Sequence, residues 1–356
     1  MSPPLADNLS DARIDALFAT LAGRALLLAV SGGPDSTALL LMAAEWAARR
    51  GGRIAAATVD HGLRPESAVE AEAVAALAAK LGVPHEILVW TGAKPATRVQ
   101  ERAREARYRL LIGRAREIGA DAIATAHHAD DQAETVLFRL IRGSGVAGLA
   151  GIERMSERDG VTIVRPLLGV TKRDLVAFCR SRGAAFADDP SNADPRFARP
   201  RLRALIERLG EEGLNAEGLV RLARRAAEAD EALARMTAEA EARIGADGHV
   251  DARALFAEPI AIVQRLLARR IAKAGGRDES RIGLEKIETL ALRLGEAAAN
   301  GQALAANVGG ALIRLSAKGR LSFTPEPARR PTAIRAGNRP PKDERPPTPT
   351  PPPHDE

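Results

Sequence analysis

Short apolar runs and longer stretches of mixed polarity alternate along the first half of the chain. Ala25 to Val30, Ile54 to Val59, Ile87 to Val89, Ala122 to Ala126 and Val161 to Val164 read as strands, and their continuous apolar character fits burial on both faces. Between them, residues near 35 to 49, 66 to 81, 97 to 118 and 131 to 141 carry apolar side chains at helical spacing, and Thr171 opens a further helix after Arg165-Pro166-Leu167-Leu168. This alternation predicts an α/β fold: a parallel sheet with helices on both faces. In open sheets of that kind a ligand lies beyond the carboxyl ends of the strands, where strand order switches. Ser31, Asp60 and His127 each follow or end a strand, and are expected to meet at one crevice.

The pattern changes near Asn215. Leu219 to Ile244 predicts one long amphipathic helix, helical patterns follow at 252 to 274 and 279 to 294, and Ala311-Leu312-Ile313 with Leu321-Ser322-Phe323 suggests a terminal hairpin. Four parts are therefore expected: an N-terminal helical extension (1–24), a catalytic α/β domain (25–214), a smaller, mainly helical domain (215–324) and a tail (325–356). The tail holds half of the chain's 22 prolines and little to bury, so it is expected to be disordered with polyproline character.

Composition narrows the function. With 356 residues, 46% of them apolar, the chain can build the cores of two or three domains. A net charge of +6 favours an anionic partner, although arginines scattered over helices also suit solvated faces. No apolar run approaches the length of a membrane span, and Met1-Ser2-Pro3-Pro4 opens without a basic, then apolar, leader. A cytoplasmic protein with no membrane partner is the expectation. The single cysteine, Cys179, excludes an internal disulfide and a cysteine-based zinc site, and its neighbours place it on the apolar face of a helix.

Ser31-Gly32-Gly33-Pro34-Asp35-Ser36 lies between the first strand and the helix that follows. Glycines let the backbone approach a ligand, while hydroxyls and helix N-terminal N–H groups suit phosphate oxygens. Asp35 would repel phosphate unless a divalent cation stood between them, so it reads as a magnesium ligand; an ordinary strand-to-helix turn is the alternative. There is no GxxxxGK[ST], and Gly32-Gly33 does not extend to GxGxxG, which sets aside the Walker and dinucleotide loops at this turn.

A second cluster, Thr125-Ala126-His127-His128-Ala129-Asp130-Asp131-Gln132-Ala133-Glu134-Thr135, joins the fourth strand to its helix. On a helix, His127, Asp131 and Glu134 share one face, able to hold magnesium, move a proton or bind a cation. An acid-rich first turn that complements the helix dipole explains the aspartates but not the histidines. Zinc would need three or four convergent ligands, and two adjacent histidines without a cysteine supply them poorly. Asp60 could contact a nucleotide or cap its own turn. Arg104 and Arg107 could meet phosphate or pair with Glu101 and Glu105 on a solvated face. Arg142 precedes the glycine-rich Gly143-Ser144-Gly145-Val146-Ala147-Gly148. The stretch from Asp188 to Arg203, too irregular for an element interior, reads as a hinge or substrate loop able to grip nucleic-acid phosphates.

The glycine loop resembles the PP-loop of the N-type ATP pyrophosphatases, which implies a Rossmann-like nucleotide-binding domain and cleavage between the α- and β-phosphates of ATP. That loop, Val59-Asp60-His61-Gly62-Leu63-Arg64, the histidine-aspartate segment, the glycines after Arg142, Arg165-Pro166-Leu167-Leu168 and the arginine-rich stretch up to Arg203 together resemble, in this order, the bacterial tRNA(Ile)-lysidine synthetase family. The resemblance implies that ATP adenylates the C2 oxygen of the wobble cytidine in a CAU-anticodon isoleucine tRNA, and that free L-lysine then displaces AMP, switching codon reading from AUG to AUA. It implies that Ser31, Gly32, Gly33, Pro34, Asp35, Ser36 and Asp60 bind ATP and that Asp35 and Asp131 share Mg2+. His127 would assist adenylation or deprotonate the amine, and Glu134 or Asp131 would attract the lysine ammonium. Arg104, Arg107, Arg142, Arg199 and Arg203 would contact tRNA phosphates, and the helical domain would grip the tRNA body. A homodimer is compatible with the sequence and not specified by it.

One departure stands out. The family usually has Arg-Asn-x-x-Arg where this chain has Arg199-Pro200-Arg201-Leu202-Arg203. Rival readings are a PP-loop tRNA thiolase, for which one cysteine is too few, an amidotransferase-like synthetase, which needs an ammonia source, and an RNA-binding module with a decayed nucleotide site, against which intact Asp35, Ser36 and Asp131 argue.

Overall fold

Strand β1 (Ala25–Ala29) sends successive side chains into two different cores. Leu26 and Leu28 pack with Phe18, Leu39, Met42, Trp46 and Phe178, while Leu27 packs with Tyr108, Leu111, Ile112 and Ile123. A strand covered on both faces must be apolar at every position, which is why this run shows no alternation. Strands β2 (Arg53–Asp60) and β4 (Ala122–Ala124) pair in parallel on either side of β1. Beyond them lie β3 (His85–Val89) and β6 (Val161–Val164), also parallel. The order β3-β2-β1-β4-β6-β5 reverses direction at β1, so the crevice between the ends of β1 and β4 is the switch point.

Strand β5 (Met155–Arg158) is not evident from the sequence pattern and joins β6 antiparallel at the edge. It is short and charged, as edges usually are. Residues 9–62, 66–92, 97–187, 198–245 and 249–327 are described by this computed structural model, with Glu66, Ala198, Arg199, Pro200 and Ser280 described by backbone alone.

Helices cover both faces. Those bearing on the site are α1 (Asp11–Phe18), α2 (Pro34–Arg50), α3 (Glu66–Lys80), α4 (Val99–Glu117), α5 (Ala129–Ile141), the single turn α6 (Val146–Leu149) and α7 (Lys172–Ser181). The bounds of α2 to α5 follow the apolar periodicity closely, whereas α6 falls in the glycine-rich segment, where no helix is expected from the sequence. The stretch expected to be irregular differs in its described part: residues Ala198–Gly210 form helix α8, and residues 188–197 lie outside the described residues. Pro200 is tolerated because it falls in the first turn, where backbone N–H groups have no helical acceptor. Helix α8, together with α9 (Ala216–Ile244), closes a third core against α5 through Leu202, Leu205, Ile206, Leu209, Leu219, Ala133, Val136 and Leu137.

The chain divides into two compact units after Ala240. In the second, the helical pattern expected over 252 to 274 is broken at Pro259 into α10 (Ala252–Phe256) and α11 (Ile260–Gly275), followed by α12 (Leu284–Ala299). The expected hairpin is part of a four-stranded antiparallel sheet, β7-β10-β9-β8, built from β7 (Val250–Asp251), β8 (Leu304–Val308), β9 (Ala311–Leu315) and β10 (Arg320–Pro325). Pro325 therefore ends a strand, paired with Ala311, instead of beginning a tail. The rest of the proline-rich tail, 328–356, lies outside the described residues. Among the described residues no helix is long and apolar enough to cross a membrane.

Cys179 is wholly buried where α7 meets α2, and its Sγ lies 3.4 Å from the Pro34 carbonyl oxygen. Burial, reinforced by the negative charge of Asp35, pushes the thiol up from 9.0 to about 12. Because the folded value is the higher one, this group's contribution to stability is complete below about pH 9 and is lost as pH rises toward 12. At pH 8 we expect Cys179 to resist iodoacetamide until the protein is denatured. Alkylation of the folded chain at the rate of a free thiol would contradict this placement.

Candidate active site

The loop after β1 is built by its own small residues. Gly32 has φ of +89°, a conformation L side chains rarely adopt, and its carbonyl accepts hydrogen bonds from the Thr37 hydroxyl and the Ala187 N–H. Gly33 caps α2 with extended backbone, and open space faces the position a Cβ would occupy. Pro34 begins the helix, where its missing N–H costs nothing. Ser36 Oγ accepts from the Ser31 N–H at 3.1 Å, lies 3.2 Å from Ser31 Oγ and donates to the Gly33 carbonyl at 3.1 Å. The result is a preformed cradle at a helix N-terminus, suited to an anion.

Asp35 leaves that cradle in the direction of α5. One carboxylate oxygen, Oδ2, lies 3.5 Å from His128 Nε2, while Oδ1 is buried without a hydrogen-bond partner among the described residues. A buried carboxylate oxygen without a donor is costly, and a divalent cation is the kind of partner that would satisfy it. Among the described residues no three His, Cys, Asp or Glu side chains converge in a way that could hold a metal by themselves. The donor set here thus fits magnesium, which takes one or two carboxylates and fills its shell with phosphate oxygens and water; it does not fit zinc.

His128, which residue spacing alone does not single out, occupies the centre of the acidic cluster. Spacing puts His127, Asp131 and Glu134 on one helical face, but α5 begins only at Ala129 and His128 is its N-cap. His127 precedes the helix, and its Nδ1 lies 2.9 Å from Thr125 Oγ1. His128 is 2% exposed and stands 3.5 Å from the carboxylates of Asp35, Asp130 and Asp131. Burial disfavours its charge, but hydrogen bonds to Asp130 and Asp35 and the charges of Asp131 and Asp35 outweigh this and raise the imidazole from 6.5 to about 10. Two geometries compete at Nδ1: it is 3.2 Å from the Asp130 N–H, as an acceptor, and 3.5 Å from the Asp130 carboxylate, as a donor. Three surrounding carboxylates decide for the imidazolium, which donates at both nitrogens. Asp131 in turn accepts the His128 N–H at 3.2 Å, and Asp130 accepts the Lys172 N–H at 2.8 Å, tying α7 to the cluster.

Glu134 is 2% exposed and is held by Arg203, whose Nε donates to its Oε1 at 2.6 Å. Arg203 therefore reaches a buried carboxylate instead of projecting into solvent, and its helix α8 is thereby fixed to α5. The Arg199 side chain lies outside the described residues. Asp60 acts at least in part as a turn cap, since its Oδ1 accepts from the Gly62 N–H at 2.8 Å and the Ser67 hydroxyl at 2.6 Å. Glu101 and Glu105 pair with Arg98 and Arg102, not with Arg104 and Arg107 as their spacing allowed. Arg104 instead stacks on Tyr108 at 5.1 Å, with Arg158 over the same ring at 4.4 Å, and Arg107 lies 3.4 Å from His61 Nε2. Arg142 caps α5 and covers Phe138 at 4.1 Å. The glycine-rich segment behind it is clamped to α5: Arg139 donates to the carbonyls of Gly148 and Gly151, and Gln132 bonds Ala150 and Ile152.

Residues 7–209 match the model of the PP-loop domain of the ATP-binding kind. A curated tRNA(Ile)-lysidine synthase from Rhodopseudomonas palustris is 51% identical over 323 residues, covering 87% of this chain and 92% of that protein. One from Methylobacterium nodulans is 51% identical over 330 residues, covering 89% and 95%. The chain belongs to the tRNA(Ile)-lysidine synthase family. Among solved structures, the U34-tRNA thiolase NcsA from Methanococcus maripaludis, described with its [4Fe-4S] cluster, aligns with a TM-score of 0.51 over 60% of this chain and 78% of that one. At 16% identity this likeness speaks for the fold alone. Membership of the tRNA(Ile)-lysidine synthase family means an ATP-dependent ligase of tRNA processing, and ATP use follows from the PP-loop.

Proposed function

We propose that this chain attaches L-lysine to C2 of the wobble cytidine of a CAU-anticodon isoleucine tRNA, in the cytoplasm, through an adenylated RNA intermediate. In the first step the cytidine O2 attacks the α-phosphorus of ATP and pyrophosphate leaves; in the second, the lysine amine attacks C2, the C2–O2 bond breaks and AMP departs. The observation that carries this reading is the intact cradle of Ser31, Gly32, Gly33 and Ser36 beside the unpartnered Oδ1 of Asp35, in a chain 51% identical to a relative over most of its length.

In this reading the cradle holds the phosphates, with Pro34 setting the helix start and Asp60 shaping the neighbouring turn. Magnesium, held by Asp35 and Asp131, would neutralise the charge that builds on the departing pyrophosphate. His128 keeps those two carboxylates together before the ligand arrives. His127, oriented through Nδ1 by Thr125, takes the proton from the lysine amine. The ammonium of incoming lysine is drawn by Asp131, since Glu134 is engaged with Arg203. Arg104, Arg107 and Arg142, with Arg199, contact phosphates of the RNA around the anticodon. Incubation with ATP, labelled lysine and this tRNA, followed by digestion to nucleosides, should yield labelled lysidine. Label confined to free lysine would refute the assignment.

A further inference from the structure

One segment of the first unit holds the cradle and the acidic cluster at once. Helix α7 packs on α2, and with the chain that follows it to Ala187 it meets the active site at three places. At the start of α7 the Lys172 N–H donates to Asp130 at 2.8 Å. Near its end Cys179 Sγ lies 3.4 Å from the Pro34 carbonyl oxygen, and beyond it the Ala187 N–H donates to the Gly32 carbonyl at 2.9 Å. The segment is itself firmly placed. Leu175, Phe178 and Cys179 are buried in the core that α2 shares, Ala184 and Phe186 pack against it, and Arg182 pairs with Glu45 of α2 at 2.8 Å.

The direction of the Ala187 contact matters. In a planar trans peptide the C=O and N–H groups point opposite ways, so a donor that fixes the Gly32 carbonyl on the α7 side turns the N–H of the next residue, Gly33, to the other side of the loop. That N–H has no acceptor among the described residues, as befits a donor kept for an anion at a helix N-terminus. Two successive glycines do not choose this orientation by themselves, because each tolerates several backbone conformations. The Thr37 hydroxyl also reaches the Gly32 carbonyl, but at 3.4 Å it is long for a hydroxyl donor. The shorter bond from Ala187 is therefore the contact that selects one orientation of the 32–33 peptide. It comes from a backbone group 155 residues away in sequence, so no side chain records it.

We propose that the Ala187 N–H is a positioning group for ATP: it holds the Gly32–Gly33 peptide so that the Gly33 N–H is presented to the phosphates before ATP arrives. The proposal rests on the cradle being the phosphate site of ATP. Ala187 touches no ligand and acts through Gly32.

The test is binding of α,β-methylene-ATP with Mg2+ to the full-length protein, read by calorimetry. Two changes remove the N–H at 187: Ala187→Pro, and replacement of Ala187 by lactic acid, which puts an ester oxygen where the N–H stands and alters no side chain. The control is Ala185→Pro, at an exposed residue whose N–H has no acceptor among the described residues. Thermal melting checks folding, and the ester decides the matter if the proline variant at 187 does not fold. Both changes at 187 should weaken binding by about three- to tenfold, the range of one lost intramolecular hydrogen bond. The KM for ATP should rise by the same factor while the KM for lysine stays unchanged, and Ala185→Pro should bind as the wild type does. Wild-type affinity in the ester variant would overturn the proposal. So would equal weakening by Ala185→Pro, which would assign the effect to stiffening of the segment. A wild type that does not bind the analogue would refute the assignment of the cradle, whereas a wild type that binds it no more tightly than the ester variant would refute only the role of Ala187.

Discussion

Asp35→Asn is expected to slow RNA adenylation by about 100- to 1,000-fold, the scale of losing one preorganised electrostatic contact to charge developing in a transition state. The amide keeps the size of the side chain and removes the charge. What disappears is the buried oxygen without a hydrogen-bond donor, the one group of the cradle that asks for a cation. Single-turnover transfer of label from α-labelled ATP to tRNA measures the effect, and raising Mg2+ should recover only part of it. A rate within about threefold of wild type, in a variant that melts normally, would remove Asp35 from magnesium binding.

The second large effect is on stability. Arg203→Met leaves the Glu134 carboxylate, 2% exposed, without the guanidinium that donates to it at 2.6 Å. Removing one member of a fully buried pair costs about 3–5 kcal/mol. Here the arginine side chain is 36% exposed and Glu134 has a further interaction, so about 2–3 kcal/mol is expected, a fall of roughly 5–10 °C in the melting of the first unit. Replacing both partners, Glu134→Met with Arg203→Met, should recover most of that loss, because no uncompensated charge remains. Unchanged melting of the single variant would mean that the pair does not hold α8 to α5.

The parallel sheet and most of its helices were legible because burial on both faces forces a strand such as Leu26-Leu27-Leu28 to be apolar throughout, a local signal. The cradle was legible for a similar reason: only small residues fit that turn, and they are adjacent in sequence. His128 was not. Its role depends on where α5 starts, and a shift of two residues in a helix start moves every side chain before it off the expected face. The pair Glu134–Arg203 joins residues 69 apart and leaves no periodic trace. Strand β7, with two residues, is too short for any pattern, yet it adds the fourth strand to the sheet of the second unit. Pro200 and Pro259 show the same residue read by position. In the first turn of α8 it is accommodated, while at 259 it divides one predicted helix into two.

The central claim is that this crevice makes cytidine C2 electrophilic by transferring AMP to its oxygen before lysine is involved. It is tested most directly by mixing the enzyme with α-labelled ATP, Mg2+ and CAU-anticodon isoleucine tRNA in the absence of lysine, and trapping the RNA in acid. The account predicts labelled, adenylated RNA that disappears, with release of AMP, when lysine is added. Pyrophosphate release without label on the RNA, or lysidine formed with no adenylated species in a lysine chase, would contradict it.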